Sequence, residues 1–278
     1  EFTAKRNEWL SSRKQLLGIG AKAASVIITP TGIERVLIAG KTEDVPAYDG
    51  NGVRVERSAD WVLDVTGVRG AAGSDVEAPS GVGAPGVLGS DDEAVRFGSA
   101  FHRLMEVIDL GGGVDLGSLS ASVASEYGLG SKAGELESLA HRALSSDLLK
   151  GAARSSRVYR EAPFTVPLDS LFPGDRHAAG CYLEGRIDLV FEIDGQWTAV
   201  DYKTDDVSGE VLDERFRGYR AQGELYVTAL HRLGIDLGGG VIFYFVRPGE
   251  KRVIEATKEI VEHAEGLIRS YILSGQDL

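Results

Sequence analysis

Residues 184–204, EGRIDLVFEIDGQWTAVDYKT, constrain the fold more than any other stretch, because they read as a β-hairpin of defined register. Asp194-Gly195 is a strong two-residue turn, and β-branched or alternating residues flank it on both sides. With those residues as the turn, Asp188 falls opposite Asp201 and Arg186 opposite Lys203. Directly opposed Cβ atoms lie about 5 Å apart. At an effective dielectric near 20, two carboxylates there repel by on the order of 3 kcal/mol, which is large beside the stability of a whole domain. Such a pair is kept at low cost only with something cationic between its members. Hard divalent ions such as Mg²⁺ take oxygen ligands from one or two carboxylates together with water and phosphate. Lys203 follows Asp201 by two residues and points to the same face. Aspartate, aspartate and lysine around a cation suit phosphodiester hydrolysis, in which the metal binds phosphate and a nucleophilic water and the lysine stabilises or orients them. The plain alternative is a surface hairpin with scattered charges. Against it stand Ile187, Leu189, Phe191, Val200 and Tyr202, whose alternation makes a half-buried sheet with the chemistry on its other face.

Around this hairpin the pattern alternates strands and helices. Residues 3–16 read as a charged amphipathic helix, 25–36 as a strand running into a turn or helix, and 52–65 as containing a strand near Asp60-Trp61-Val62-Leu63. Residues 66–90, rich in Gly, Ala, Ser and Pro, read as a linker or mobile loop between an N-terminal segment (1–65) and a core (91–278). Ser90 and Glu93 have the spacing of a capping box, opening a helix whose buried stripe is Ala100, Phe101, Leu104, Val107 and Ile108. His102 lies off that stripe, on the flank that carries Gly98 one turn earlier. A helical section over 119–154 precedes strands at 157–166, 181–193 and 197–203. A helix at about 213–233 then places Gln222 and Tyr226 one turn apart on one face. A buried strand at 241–246, a turn at Arg247-Pro248-Gly249, a further strand and a final helix from Thr257 to about Leu273 complete a mixed sheet with flanking helices.

At these residues the sequence resembles the PD-(D/E)XK nucleases, and within them the RecB-type nuclease domains found at the C-termini of UvrD/Rep-like helicase-nucleases. The resemblance rests on G-x-I-D-L-V followed by D-Y-K-T, on F-G-S-A-F-H at 97–102, E-A-P-F at 161–164 and Q-G-E-L-Y at 222–226. It covers roughly residues 90–275 and implies an α/β nuclease core with a mixed central sheet. It further implies that His102, Asp188, Asp201 and the backbone carbonyl of Tyr202 bind Mg²⁺ or Mn²⁺, and that Lys203 is the catalytic lysine. Gln222 and Tyr226 would orient the lysine or the DNA, and Glu161 would be an accessory acid. The implied partners are DNA, as single strands or duplex ends, a helicase domain of the same polypeptide and further subunits. The activity would be that of an exonuclease or end-processing enzyme in DNA repair or recombination. The competing reading is a catalytically silent DNA-end-binding or regulatory module with a nuclease-like fold, and a hydrolase of other phosphoesters is a third.

Composition bounds these readings. The single Cys181 excludes a disulfide framework and a four-cysteine iron–sulfur cluster. No apolar run is long enough to span a bilayer, no signal peptide is visible and mean hydropathy is near zero, so the cytoplasm is the expected compartment. A net charge of −12 is awkward for gripping DNA. Arg215, Arg217 and Arg220 before Gln222, and Arg154, Arg157 and Arg160 before Glu161, are the candidate basic patches, with another domain or protein supplying much of the affinity. Gly40-Lys41-Thr42 echoes a phosphate loop, but Arg35 stands where its first glycine belongs, so no nucleotide site is expected. His141, His177, His231 and His263 read as structural or surface residues. The chain opens on Glu1-Phe2, as after a cloning junction, and its only methionine is Met105, which reads as a domain excised from a longer polypeptide.

Overall fold

The computed structural model describes residues 27–30 and 90–274. The helix expected at 3–16, the strand near residue 60, most of the 66–90 segment and the Gly40-Lys41-Thr42 echo lie outside the described residues. Strand β1 is Ile27–Ile28 and helix α1 is Ser90–Val107. The helical section contains α2 (Leu116–Glu126), α3 (Ala133–Ser145) and α4 (Asp147–Arg154). Next come β2 (Val158–Pro167), the short α5 (Leu168–Leu171), β3 (Tyr182–Ile193) and β4 (Gln196–Lys203). Helix α6 (Gly209–Arg232), β5 (Val241–Phe245), β6 (Glu250–Ile254) and α7 (Lys258–Ser274) follow. The described residues divide into two compact units, one of 90–163 with 186–261, the other of 27–30 with 164–185 and 262–274. No helix among the described residues is long and apolar enough to cross a membrane.

The larger unit contains the hairpin in the register that its turn dictates. Leu189 pairs with Val200, and the ladder runs to Ile193 opposite Gln196. Asp194 and Gly195 have φ of 53° and 80°, the two left-handed residues that a type I′ turn requires. Helix α6 carries the chain over to β5, which lies parallel to β4, and β6 returns antiparallel to β5. The result is the expected mixed sheet with flanking helices, in the order β3-β4-β5-β6, and β2 also pairs with β3.

Both faces of this sheet are covered, whereas the hairpin alternation predicts one open face. Leu189, Phe191, Val200, Tyr202 and Tyr244 join Phe101, Leu104, Leu136 and Leu149 in one apolar cluster built with α1–α4. Each such side chain contributes about 1.5–3 kcal/mol on burial. On the opposite face α6 lies against β5 and β6. Tyr219 stacks on Phe243 with ring centroids 5.9 Å apart and planes 9° apart, and Phe216 meets the same ring edge-on. The approach is close because residue 223 is glycine. A Cβ there would come within 2.5 Å of Ile254 Cδ1 and 2.7 Å of Phe243 Cε2. Residues 199–202 of the central strand are therefore all buried, Asp201 among them.

In α1 the buried stripe is Phe97, Ala100, Phe101, Leu104, Met105 and Ile108. Val107, expected in that stripe, is 40% exposed, because Met105 shifts the stripe's centre and leaves residue 107 at its edge. His102 lies on the flank beyond Met105. In the smaller unit β1 runs parallel to the start of β3, with Ile27 opposite Tyr182 and Ile28 opposite Leu183. There the ring of Phe164 sits over Gly185, where a Cβ would meet it at 2.4 Å.

Candidate active site

Helix α1 and strands β2 and β3 bring three metal-capable side chains to one place. His102 Nδ1 lies 3.1 Å from Asp188 Oδ1, and potential ligand atoms of His102, Glu161 and Asp188 all lie within 4.8 Å of one another. This is the one such cluster among the described residues. Asp188 Oδ2 accepts the Tyr202 backbone N–H at 2.6 Å. In an extended strand the carbonyl of a residue leaves on the same side as its N–H, so Tyr202 O also faces this site. Glu161 adopts φ of 46° within β2, a left-handed conformation that is unusual for a non-glycine residue and re-aims its carboxylate. The cluster opens onto a cavity of about 440 Å³ that Arg103, Tyr127 and Arg186 also line.

The electrostatics follow from burial and proximity. Burial opposes a charge on His102, but the Asp188 carboxylate outweighs it and pushes the imidazole pKa up to about 9. The Asp188 carboxyl, disfavoured as an anion by burial, is nevertheless held below its ordinary range by His102 and the Tyr202 N–H. Glu161 is pushed up to about 7, first by burial and then by the charge of Asp188. Arg186 Nη1 stands 3.5 Å from Glu161 Oε2 and offsets part of this.

One strand along, Asp201 pairs with Lys203, whose Nζ is 2.6 Å from its Oδ1. Burial raises the Asp201 carboxyl, which Lys203 draws down, while Asp201 raises the Lys203 ammonium against its own burial. Gln222 in α6 bridges the two, accepting from Lys203 Nζ at 3.2 Å and donating to Asp201 Oδ2 at 3.3 Å. Its amide also donates to the Tyr226 hydroxyl at 2.7 Å, and that hydroxyl donates to the Arg186 carbonyl at 3.0 Å. The two aspartates thus have separate cationic partners within the chain, His102 for Asp188 and Lys203 for Asp201. The repulsion that on sequence grounds calls for a cation between them is already offset by the fold.

The donor set fits a hard divalent cation. Two carboxylates and an imidazole converge, and buried Asp201 Oδ1, although ion-paired, takes part in no aligned hydrogen bond. The profile of the PD-(D/E)XK nuclease superfamily matches residues 82–272. The chain belongs to the PD-(D/E)XK nuclease superfamily. Among curated proteins it is similar to an ATP-dependent helicase/nuclease subunit from Carboxydothermus hydrogenoformans, 27% identical over 157 residues, or 54% of this chain and 13% of that protein. The counterpart of the same name from Staphylococcus saprophyticus is 32% identical over 111 residues, 36% of this chain and 9% of that protein. That from Geobacillus thermodenitrificans is 28% identical over 152 residues, 49% and 12%. The chain therefore spans about a tenth of the length of these relatives.

The structure gathers the nominated side chains into two groups, His102, Glu161 and Asp188 in one, and Asp201, Lys203, Gln222 and Tyr226 in the other; Asp201, expected as a ligand beside His102 and Asp188, lies outside their cluster and pairs with Lys203. It places Glu161, expected as an accessory acid, among the potential ligands. Sequence reasoning missed Tyr219, whose ring centroid is 4.0 Å from Lys203 Nζ, and Asp205, which accepts from the Tyr219 hydroxyl at 3.2 Å. The signal was present, since Tyr219 stands one turn before Gln222. The arginine patches are largely committed to the fold. Arg215 pairs with Asp205, Arg220 with Glu224 and Arg157 with Glu192, while Arg160 donates to the carbonyls of Glu106 and Ile108.

Proposed function

We propose that this chain is a Mg²⁺- or Mn²⁺-dependent deoxyribonuclease domain that hydrolyses phosphodiesters on single strands or duplex ends delivered by a helicase of the same polypeptide. The observation that carries this reading is the Asp201–Lys203–Gln222 relay set beside the His102–Glu161–Asp188 cluster. His102, Glu161, Asp188 and Asp201, with the Tyr202 carbonyl, would hold the cation. When bound, it would supply Lewis-acid charge at the phosphoryl oxygens and lower the pKa of a water. Lys203 directs its ammonium at the developing charge on the phosphate or at the attacking water. Gln222 fixes the Lys203 side chain by accepting one of its protons, and Tyr226 fixes Gln222. Burial first, then the Asp201 and Asp188 charges, raise the Tyr226 hydroxyl well above its ordinary range, so it remains a proton donor to the Arg186 carbonyl. Arg186 and Arg103, on the rim of the cavity, supply positive charge for the flanking phosphates.

The reading extends to an exonuclease in DNA repair or recombination, working in the cytoplasm with residues 91–278 as its catalytic core; the helicase/nuclease names of the relatives support its nuclease and helicase-linked part. The test is to incubate the chain with labelled single-stranded DNA, duplex DNA, RNA and simple phosphoesters, with Mg²⁺, Mn²⁺ or chelator. Cleavage of DNA that chelator abolishes is expected. DNA binding without cleavage under every ion would favour a silent end-binding module, and turnover of simple phosphoesters alone would favour another hydrolase.

A further inference from the structure

Lys203 is held by a carboxylate, an amide and two aromatic rings, the nearer that of Tyr219 and the farther that of Phe243 at 5.4 Å, and both rings lie outside the nuclease motifs. Its Nζ lies 2.6 Å from Asp201 Oδ1, donates to Gln222 Oε1 at 3.2 Å and faces the ring of Tyr219 at 4.0 Å from the centroid. That ring is itself fixed. It stacks on Phe243 at 5.9 Å, its hydroxyl donates to Asp205 Oδ2 at 3.2 Å, and Arg215 Nε stands 3.2 Å from Asp205 Oδ1. Tyr219 and Gln222, at i and i+3 of α6, lie on one face, so a single helix presents both to Lys203.

An ammonium has three protons to donate. An aromatic face attracts its charge without committing one of them to a directional lone pair. Were the Asp201 carboxylate shared with a bound cation, it would hold Lys203 less tightly, and the ring would remain with Gln222 to keep the ammonium in place. We propose that Tyr219 is a positioning residue for Lys203, and that the face of its ring, rather than its hydroxyl, is what the reaction requires. This rests on the reading of the site as a nuclease centre.

The experiment measures kcat and KM on a 5′-labelled single-stranded oligonucleotide with Mn²⁺ for the wild type, Tyr219→Phe, Tyr219→Leu and Tyr219→pentafluorophenylalanine. The last keeps the flat ring of phenylalanine, slightly enlarged, but reverses the charge of its face. Tyr219→Phe should retain kcat within about threefold, while Tyr219→Leu and the fluorinated variant should lose about tenfold or more with KM little changed, the size expected for a desolvated cation–π contact. The fluorinated variant should melt at or above Tyr219→Phe, because its reversed ring charge stacks on Phe243 at least as well, which separates ring charge from packing even if Tyr219→Leu fails to fold. A fluorinated variant as active as Tyr219→Phe would overturn the proposal. So would a Tyr219→Phe variant as impaired as the fluorinated one. A wild type that cleaves no DNA with any ion overturns the nuclease reading and this inference together, whereas an active wild type with unaffected variants overturns the inference alone.

Discussion

Glu161 and Asp188 share one cluster but bear opposite relations to stability. The folded-state pKa of Glu161 is raised to about 7, above its ordinary 4.5. Its ionisation therefore costs the metal-free fold nothing below about pH 4.5, an increasing amount as pH rises, and a full penalty on the order of a few kcal/mol above 7. Glu161→Gln should raise the melting temperature of the chelated chain at pH 8, with the gain shrinking to nothing near pH 4.5. Thermal melts at both pH values check this, and a pH-independent difference would contradict it. Asp188 has a lowered pKa, so its contribution is present at neutral pH and is lost as pH falls through its folded value. With His102 and the Tyr202 N–H as partners, Asp188→Asn should lower the metal-free melting temperature at pH 7, because it removes the carboxylate that stabilises the protonated imidazole and the buried ring then gives up its proton and its ion pair. Stabilisation on this substitution would mean that repulsion from Asp201 governs the pair instead.

Helix α6 does more for the site than a covering element need do, since it supplies Tyr219, Gln222 and Tyr226 from one face. Its seat depends on Gly223. Gly223→Ala would press a methyl into Ile254, whose Cδ1 can move, and into Phe243, which Tyr219 and Phe216 hold in place. The expected cost is about 1–3 kcal/mol, with a loss of activity larger than the loss of folded protein because Gln222 shifts with the helix. Chemical denaturation and kcat measured together would show this, and full activity in a destabilised variant would contradict it. The hairpin was legible in sequence because Asp194-Gly195 admits one turn type, which fixes every partner after it. The ordered motifs likewise located His102, Gln222 and Tyr226. The covered second face was not legible, because alternation along β3 and β4 says nothing about a helix that arrives from residue 209 onward. Nor was the aim of Glu161, which depends on one left-handed residue inside a strand, or the loss of Val107 from the core, which depends on where the stripe of α1 is centred.

The chain as a whole carries 42 acidic against 30 basic residues, and of its two candidate patches Arg157, Arg215 and Arg220 are ion-paired internally while Arg160 bonds to backbone carbonyls. With a net charge of −12 and those arginines engaged, its own affinity for DNA should be weak, with Kd no tighter than about 1 μM at physiological salt, and its salt dependence shallow because few phosphates are neutralised. Fluorescence anisotropy over a salt series tests this, and nanomolar binding to blunt duplex would contradict it. A tethered motor would raise the local concentration of DNA ends and make tight intrinsic binding unnecessary. The central claim is that Asp201 and Lys203 act on a phosphodiester at a cation held beside them. Its most direct test is single-turnover cleavage of labelled single-stranded DNA by Asp201→Ala and Lys203→Ala at saturating Mn²⁺, with circular dichroism confirming the fold. Each variant should lose at least about a hundredfold in rate while remaining folded; near-normal cleavage by either would contradict the account.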